Sequence, residues 1–262
     1  MKRVNGMTSA TGVLGLDEAE VAEVVATAAP APGARGTRSW WFRLDEDRIE
    51  LHADAGDREL RLACGTALFN LRLALRGHGI RPLVTLLPGA DAPGALATVR
   101  RGGRRELDDE TRALIGATAG AVADRAPLLD TPVPAAHRHA MVRAAERERS
   151  WLHVVTDPRE RALVRRLVAE AHPTPDHNPL IAVLCSFHDE PRAELQAGQA
   201  LRRVLLTAAG LDLSATVLPG VAGVREELRR ALGGVIVPQA VLRVGPGSPV
   251  PRRAGGAGPT RW

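Results

Sequence analysis

The sequence predicts an α+β fold composed of two related halves. Segments whose apolar residues recur with a helical period alternate along the chain with segments of alternating polarity, which are typical of strands. Predicted hairpins lie among these elements and favour a layered α+β fold over a purely parallel one. The pattern of helix and strand that starts at Gly65 also recurs at Gly198. A chain of 262 residues, 45% of them apolar, is long enough to bury the core of such a fold.

The first half is predicted to start with a helix and a hairpin. Asp17 is expected to cap the helix, whose apolar residues recur at the i, i+3, i+4, i+7 spacing until Pro30 ends it. The segment SWWFRL alternates in polarity and is expected to place Trp40, Phe42 and Leu44 on one face. The segment RIELHA follows the turn DED as the predicted hairpin partner. The helix GTALFNLRLALRGHG, with its glycine stop, and the strand PLVTLL complete this half.

The second half is predicted to alternate helices and strands. Asp157 is expected to begin a helix that has Pro158 at its first position. In chain order, the predicted elements are the helices LDDETRALIGATAGAVADR and AAHRHAMVRAAERE, the strand SWLHVV, the helix DPRERALVRRLVAEA, the strand LIAVLCS, the helix ELQAGQALRRVLLTAAG, the strand SATVL, the helix VREELRRALGG and the strand QAVLRVG. Residues 246–262 are rich in Gly, Pro and Arg and are expected to form an extended tail.

The internal repeat defines the two halves. In an ungapped alignment of GTALFNLRLALRG with GQALRRVLLTAAG, Gly65 matches Gly198 and Leu73 matches Leu206. A gap of two residues then aligns TLLPG with TVLPG. Coincidence among common residues is the alternative, but the shared order and spacing favour a duplication. We therefore expect halves 1–105 and 106–245 to form an intramolecular pseudo-dimer, with a ligand site between them.

Composition and charge restrict the partners of the protein. The formal net charge is +5 and the pI is about 10.6, because Lys2 is the only lysine among 35 basic residues. Acidic residues are interspersed throughout, so codon bias explains the arginines better than a nucleic-acid surface does, and a small ligand that carries a phosphate remains open. Cys64 and Cys185 form no CxxC pattern, and we expect neither a membrane span nor a signal peptide. We expect a cytoplasmic monomer that acts on a small molecule, without nucleic-acid or membrane partners.

Several segments resemble the nitroreductase superfamily, in the single-chain duplicated branch called Acg-like. They are, in family order, IELHADAGDRELRLACGTALFNLRLALRGHG, LLPGADAPGALATV, NPLIAVL, AGQALRRVLLTAAGL and VPQAVLRVG followed by PVPRR. The resemblance implies a layered α+β fold that holds FMN between its two halves. It further implies that NAD(P)H reduces the flavin, which then passes two electrons to a nitroaromatic or quinone-like substrate. In such an enzyme the flavin carries the chemistry, so no catalytic side chain is expected.

The stretch APGARGTRSW stands where the family has its flavin loop, with a pattern like A-P-S-x-H-N-x-Q-P-W. The resemblance places the ring beside Gly33, Arg35, Gly36, Arg38 and Trp40. Ala, Pro, Thr and Trp match the pattern, whereas glycines and arginines replace its Ser, His, Asn and Gln. The glycine backbone N–H groups can still donate hydrogen bonds, and the arginines donate but cannot accept them.

The resemblance also implies a phosphate site made of arginines. Arg125, in AVADRAPLLDTPVP, remains from the two arginines of the family's segment, and Arg252 and Arg253 match its PRR near the C-terminus. Arginine binds a phosphate through two parallel hydrogen bonds. Alanines replace an Arg and a Thr in the first of these segments, and the acidic residue expected after SATVL is absent. The altered positions leave a second function open, which is a non-catalytic flavin-holding or stress-linked protein on the same scaffold.

Other candidate sites have simpler interpretations. His137 and His139 point to different sides of a helix, which argues against a metal pair. The segment HPTPDHN with His188 lacks the spacing of a zinc site, so no metal is predicted. Cys64, near a predicted helix start, is interpreted as a small buried residue and not as a reactive thiol. RRGGRRE is interpreted as a linker between the halves and not as a nucleic-acid patch.

Overall fold

The structure is a computed structural model that describes residues 12–29, 40–54, 56–120, 128–129, 131–169, 180–218 and 221–247. These residues form two four-stranded antiparallel sheets with helices packed between and around them. The predicted mixture of helices, sheets and hairpins is therefore confirmed. The domain limits at residues 105 and 245 stay predictions, although the first sheet lies wholly before the one limit and the second sheet wholly after it.

The N-terminal half is a sheet flanked by helices. Its elements are α1 (Glu18–Ala28), β1 (Trp40–Leu44), β2 (Arg48–Ala53), α2 (Arg58–Gly77), β3 (Ile80–Leu86) and β4 (Ala97–Arg104). The sheet order is β1-β2-β4-β3, and β1 and β2 form the predicted hairpin. The predicted cap of α1 is present, because Asp17 accepts a hydrogen bond from the Glu20 amide at 2.9 Å and Glu20 accepts one from the Asp17 amide at 3.0 Å.

The C-terminal half repeats this arrangement with more helices. Its elements are α3 (Asp109–Gly120), α4 (Ala135–Glu146), β5 (Trp151–Val154), α5 (Pro158–Ala169), β6 (Leu180–Ser186), α6 (Pro191–Gly210), β7 (Leu213–Leu218), α7 (Val221–Ala231) and β8 (Val237–Pro246). The sheet order is β5-β6-β8-β7. Asp157 accepts hydrogen bonds from the amides of Arg159 and Glu160, both at 2.9 Å, and so begins α5 as predicted.

The two sheets have the same strand order and the same antiparallel pairing. Each begins with an edge strand, continues through a central pair and ends with the strand that follows the long helix, α2 or α6. The halves differ in their connections. A tight turn joins β1 to β2 and a loop with a short 3-10 helix joins β3 to β4, whereas α5 and α7 occupy the equivalent places in the C-terminal half.

The long helices α2 and α6 lie side by side and run in the same direction. Their contacts advance together, from Arg61 with Glu194, through Gly65 with Gly198, to the apolar cluster that contains Leu73 and Leu206. A Cβ atom on Gly65 would lie 2.8 Å from the Gly198 Cα, and one on Gly198 would lie 2.7 Å from the Gly65 Cα. The repeated glycines thus permit a backbone approach that any side chain would block.

The interpretation of RRGGRRE as a linker is wrong. Arg100–Arg104 belong to β4, an interior strand in which Arg100 pairs with Arg48 of β2 on one side and with Leu83 of β3 on the other. Glycine is depleted in strands, so the segment lacked a strand pattern. Gly102 lies beneath Leu83, where a Cβ atom would meet the leucine side chain at 2.6 Å, and the backbone of the following glycine is left-handed.

Candidate functional site

Of the predicted flavin-binding residues, Trp40 lies within the described part of the chain. The others lie outside the described residues; they are Gly33, Arg35, Gly36, Arg38, Arg125, Arg252 and Arg253. Their roles therefore stay predictions, and the geometry bears on them through the elements that flank each segment.

Trp40 begins β1 and is buried, as predicted for a strand residue that packs inward. Its side chain is 6% exposed and meets the Phe42 ring edge to face, with 5.5 Å between the ring centroids. The indole Nε1 is buried, and no described residue accepts a hydrogen bond from it. This nitrogen can only donate a hydrogen bond, so it needs an acceptor. Trp40 is the first residue of β1, directly after residues 30–39 in the sequence. Leu44, at the far end of the strand, is 37% exposed, so the predicted apolar face becomes solvent-accessible there.

The connection before β1 distinguishes the two halves. Residues 29–39 separate α1 from β1, whereas residues 147–150 suffice to join α4 to β5. The predicted flavin loop therefore stands at a place where the N-terminal half has a long connection and the C-terminal half has a tight one. The four residues before β5 are too few for a loop of the same length as the one before β1. If the predicted flavin loop forms a site, that site would therefore occur before β1 and not also before β5.

The described residues next to the two segments with predicted phosphate-binding arginines are joined by backbone contacts. Leu128 forms an isolated antiparallel bridge with Gly247, and the Leu129 amide donates a hydrogen bond to the Pro246 carbonyl at 2.9 Å. Arg125 precedes this bridge by three residues, and Arg252 follows it by five. Both arginines lie outside the described residues, so their shared role at a phosphate stays a prediction.

A cluster of charged side chains joins the start of α2 to the C-terminal half. Glu194 is 3% exposed and forms ion pairs with Arg61 and with Arg58, the latter at 3.0 Å. Arg58 also pairs with Asp189 and donates a hydrogen bond to Gln239 at 3.0 Å. Burial alone would raise the pKa of Asp189, but the hydrogen bond and charge of Arg58 outweigh it and lower this pKa below its ordinary value of 3.8. The cluster fixes the two halves against each other.

A second polar cluster lies further along the helix pair. The buried Glu148 accepts hydrogen bonds from Arg72 at 2.7 Å and from Arg203 at 2.9 Å. Both guanidinium groups lie over the Phe69 ring, 5.5 and 5.9 Å from its centroid. Next to it, the buried Arg202 donates to Asn70 at 2.7 Å, and burial lowers the pKa of this arginine.

Sequence reasoning did not predict either cluster. The charged residues stand far apart in the chain, and each one alone has the pattern of a solvated helix surface. The repeat contained the necessary signal, since extending its ungapped alignment toward the N-terminus places Arg61 opposite Glu194. Opposite charges at equivalent positions become partners when the two helices lie side by side.

The cysteines are buried and unreactive in this fold. Cys64 lies inside α2, which begins earlier than predicted, at Arg58, because Asp57 caps it by accepting a hydrogen bond from the Leu60 amide at 2.7 Å. Burial raises the pKa of Cys64 to about 12, with a smaller contribution from Asp57, and burial raises that of Cys185 to about 12. The interpretation of Cys64 as a small core residue agrees with its full burial.

The described residues bear on the metal and membrane predictions. No group of three or more His, Cys, Asp or Glu side chains within the described ranges could hold a metal ion. The segment 172–177 lies outside those ranges. His137 and His139 differ as expected, because a ring nitrogen of His137 is buried whereas His139 lies in a surface cleft. Among the described helices, none is both long and apolar enough to cross a bilayer.

The chain is similar to several solved protein structures. No protein-family model matches the chain, and no curated protein matches it. A hypothetical oxidoreductase, YcnD of Bacillus subtilis, aligns over 52% of this chain and 66% of its own, with 16% identity and a TM-score of 0.44. The NADPH:FMN oxidoreductase of Vibrio harveyi aligns over 52% and 69%, with 14% identity and a TM-score of 0.44.

A third similar structure is a nitroreductase of Bacteroides fragilis with bound FMN. It aligns over 57% of this chain and 97% of its own, with 14% identity and a TM-score of 0.43. The solved structures that this chain is similar to are thus nitroreductase and NADPH:FMN oxidoreductase proteins. All three alignments span little more than half of this chain. The ligands in the names of those proteins are therefore stated for those proteins alone.

Proposed function

We propose that the protein is an FMN-dependent NAD(P)H oxidoreductase of nitroreductase type that reduces nitroaromatic or quinone-like substrates. The observation that carries the proposal is the bridge between Leu128 and Gly247, which stand in the sequence three residues after Arg125 and five residues before Arg252. Neighbouring arginines supply the bidentate donors that a flavin phosphate needs. The buried Nε1 of Trp40, which has no acceptor among the described residues, offers a donor for a group with acceptors, which suits the carbonyl-rich ring of a flavin.

The two halves would act as an intramolecular pseudo-dimer with one flavin per chain. Identical strand orders and the reciprocal contact of Gly65 with Gly198 support a duplication. The long connection before β1, absent before β5, supports a single site. In this arrangement, Arg125, Arg252 and Arg253 would bind the phosphate, while Gly33, Arg35, Gly36, Arg38 and Trp40 would lie along the ring.

The protein would bind and orient the flavin and the substrate, and the cofactor would supply the redox chemistry. When bound, FMN supplies two-electron transfer from a reduced nicotinamide to a second substrate. Arg35 and Arg38 would donate hydrogen bonds to the ring where the family has Ser, His, Asn and Gln. The backbone N–H groups of Gly33 and Gly36 would complete this set of donors.

The visible spectrum of the purified full chain tests the proposal. We expect flavin bands at a ratio of about one per chain, bleached by NADPH under anaerobic conditions and restored by a quinone. The double variant R252Q/R253Q should weaken FMN binding about tenfold or more. The control variant R81Q, which changes an exposed arginine on β3, should bind FMN like the wild type. A colourless protein that cannot be reconstituted with FMN would overturn the proposal.

The same experiment distinguishes the alternative of a non-catalytic, flavin-holding or stress-linked protein. The replacement of the family's Ser, His, Asn and Gln by glycines and arginines favours this alternative. Flavin bands that NADPH and NADH leave unchanged would support it and exclude the enzyme. Size-exclusion chromatography tests the architecture separately, since an intramolecular pseudo-dimer should elute as a monomer whether or not it binds flavin.

A further inference from the structure

A surface cleft lies between α3, α4 and α6, in the C-terminal half. Its volume is about 420 Å³, which is within the usual range for small-molecule sites. Leu114 of α3, Leu206 and Leu211 at the end of α6, and Ala140 of α4 form part of its apolar wall. The cleft therefore offers a surface on which the apolar body of a small ligand can be buried.

The charged groups of the cleft are mostly basic and come from one face of α4. His139, Arg143 and Arg147 follow each other at four-residue intervals and therefore line up along the helix. Arg147 pairs with Glu110 at 2.6 Å, and Glu110 also accepts a hydrogen bond from Arg203 at 2.5 Å. The carboxylate of Glu110 is thus already shared between two cations.

Arg143 and His139 have no such partner. Among the described residues, no side chain forms a hydrogen bond or ion pair with either group. A guanidinium matches a carboxylate through two parallel hydrogen bonds, and the apolar wall begins one helical turn away at Ala140. The cleft therefore combines an unpaired cation with adjacent apolar surface.

The equivalent place in the N-terminal half has the opposite character. In the repeat alignment, Leu211 corresponds to His78, which lies at the end of α2. His78 lies 3.5 Å from Glu20 and 3.9 Å from Glu23, both on α1. The N-terminal copy thus places a histidine beside two carboxylates, while the C-terminal copy has an apolar residue in the same cleft as Arg143, which has no partner among the described residues. The cleft is a specific property of one half and not a consequence of the repeat.

We propose that this cleft binds a small amphipathic monocarboxylate. The carboxylate lies against Arg143 with His139 beside it, and the alkyl or aryl body packs along Ala140 toward Leu211, over the buried Leu114 and Leu206. This ligand complements the cleft in both charge and apolarity. The described residues that line the cleft include none of the predicted flavin-binding residues, and the proposal does not depend on FMN.

Isothermal titration of the full chain with decanoate tests the proposal, with decanamide as the uncharged probe of equal length. We expect saturable binding at one site per chain, and binding of decanamide about tenfold weaker, since a charge-assisted hydrogen bond is lost. R143Q should weaken decanoate binding to the same degree. R138Q, on the same helix but outside the cleft, is the matched control and should bind like the wild type.

A second variant tests the cleft without changing its charge. A140W fills the space beside Arg143 and should abolish decanoate binding while the far-UV circular dichroism stays that of the wild type. The proposal is overturned if the wild type shows no saturable binding up to about 1 mM, if decanamide binds as well as decanoate, or if R143Q or A140W binds like the wild type. A change in self-association on R143Q would instead assign the cleft to a second copy of the chain and would equally overturn it.

Discussion

Arg61 and Glu194 occupy equivalent positions of the repeated helices and form an ion pair. Reversing the charge of either residue alone should lower the free energy of unfolding. Reversing both charges should restore part of that free energy. The perturbation is a double-mutant cycle of R61E, E194R and R61E/E194R. Their side chains are 16% and 3% exposed, so the pair counts as buried. Breaking such a pair costs about 3–5 kcal/mol, because the remaining charge has lost both water and partner.

The size of the recovery follows from the neighbours of the pair. If the two reversals were independent, they would destabilise the double variant by about 6–10 kcal/mol. In the exchanged pair, the attraction is restored at the same place, but Arg58, which lies 3.0 Å from Glu194, then faces a cation. We therefore expect partial recovery, with a coupling energy of about 3 kcal/mol in the cycle.

Urea unfolding of the four proteins, followed by circular dichroism, measures the coupling energy. The same exchange at Arg230 and Glu227 is the matched control. This pair joins neighbouring turns of α7 at 3.6 Å, with side chains 69% and 49% exposed, and should give less than about 0.5 kcal/mol. A coupling at Arg61 and Glu194 no larger than that of the control would refute the reasoning, since the reversals would then be additive.

Three further predictions concern packing, capping and pH. Gly65→Ala should destabilise the protein by about 2 kcal/mol or more in urea unfolding because its Cβ would clash with Gly198, whereas Gly116→Ala, where α3 has open space, should stabilise it slightly. Asp17→Ala should cost about 1 kcal/mol, since α1 loses its capping box, and an unchanged midpoint would contradict this. Cys64 should resist iodoacetamide in the native state at pH 8 and react only on unfolding, as its pKa of about 12 keeps it protonated. The stabilisation from the raised thiol pKa should be complete below its ordinary value of 9.0 and decline as the pH rises toward 12.

Local signals made much of the fold predictable from the sequence. The Asp17 and Asp157 caps, the β1–β2 hairpin and the helices with a strong apolar period need only neighbouring residues to specify them. The repeat predicted more, since it indicated two similar halves before any long-range contact was known. It also marked Gly65 and Gly198, whose close approach explains why both copies have glycine there.

Elements that depend on distant partners were not predictable. The strand β4 contains two consecutive glycines and several arginines, and it is a strand because β2 and β3 pair with it on both sides. Helix α2 begins at Arg58, before the start that the sequence predicts. Its first turn lacks an apolar pattern, because it is rich in charged residues that bind the other half. The flavin loop rests on the resemblance alone and stays a prediction, since its glycines and arginines specify no element of their own.

The charge pattern between the helices bears on how the halves recognise each other. In a symmetric dimer, each position near the twofold axis faces its own copy. Two N-terminal halves paired in this way would place one Arg61 against another, and two C-terminal halves would oppose two Glu194 carboxylates, each 3% exposed. Like charges in such a place cost several kcal/mol. The pairing of an N-terminal half with a C-terminal half is therefore favoured over the pairing of two like halves.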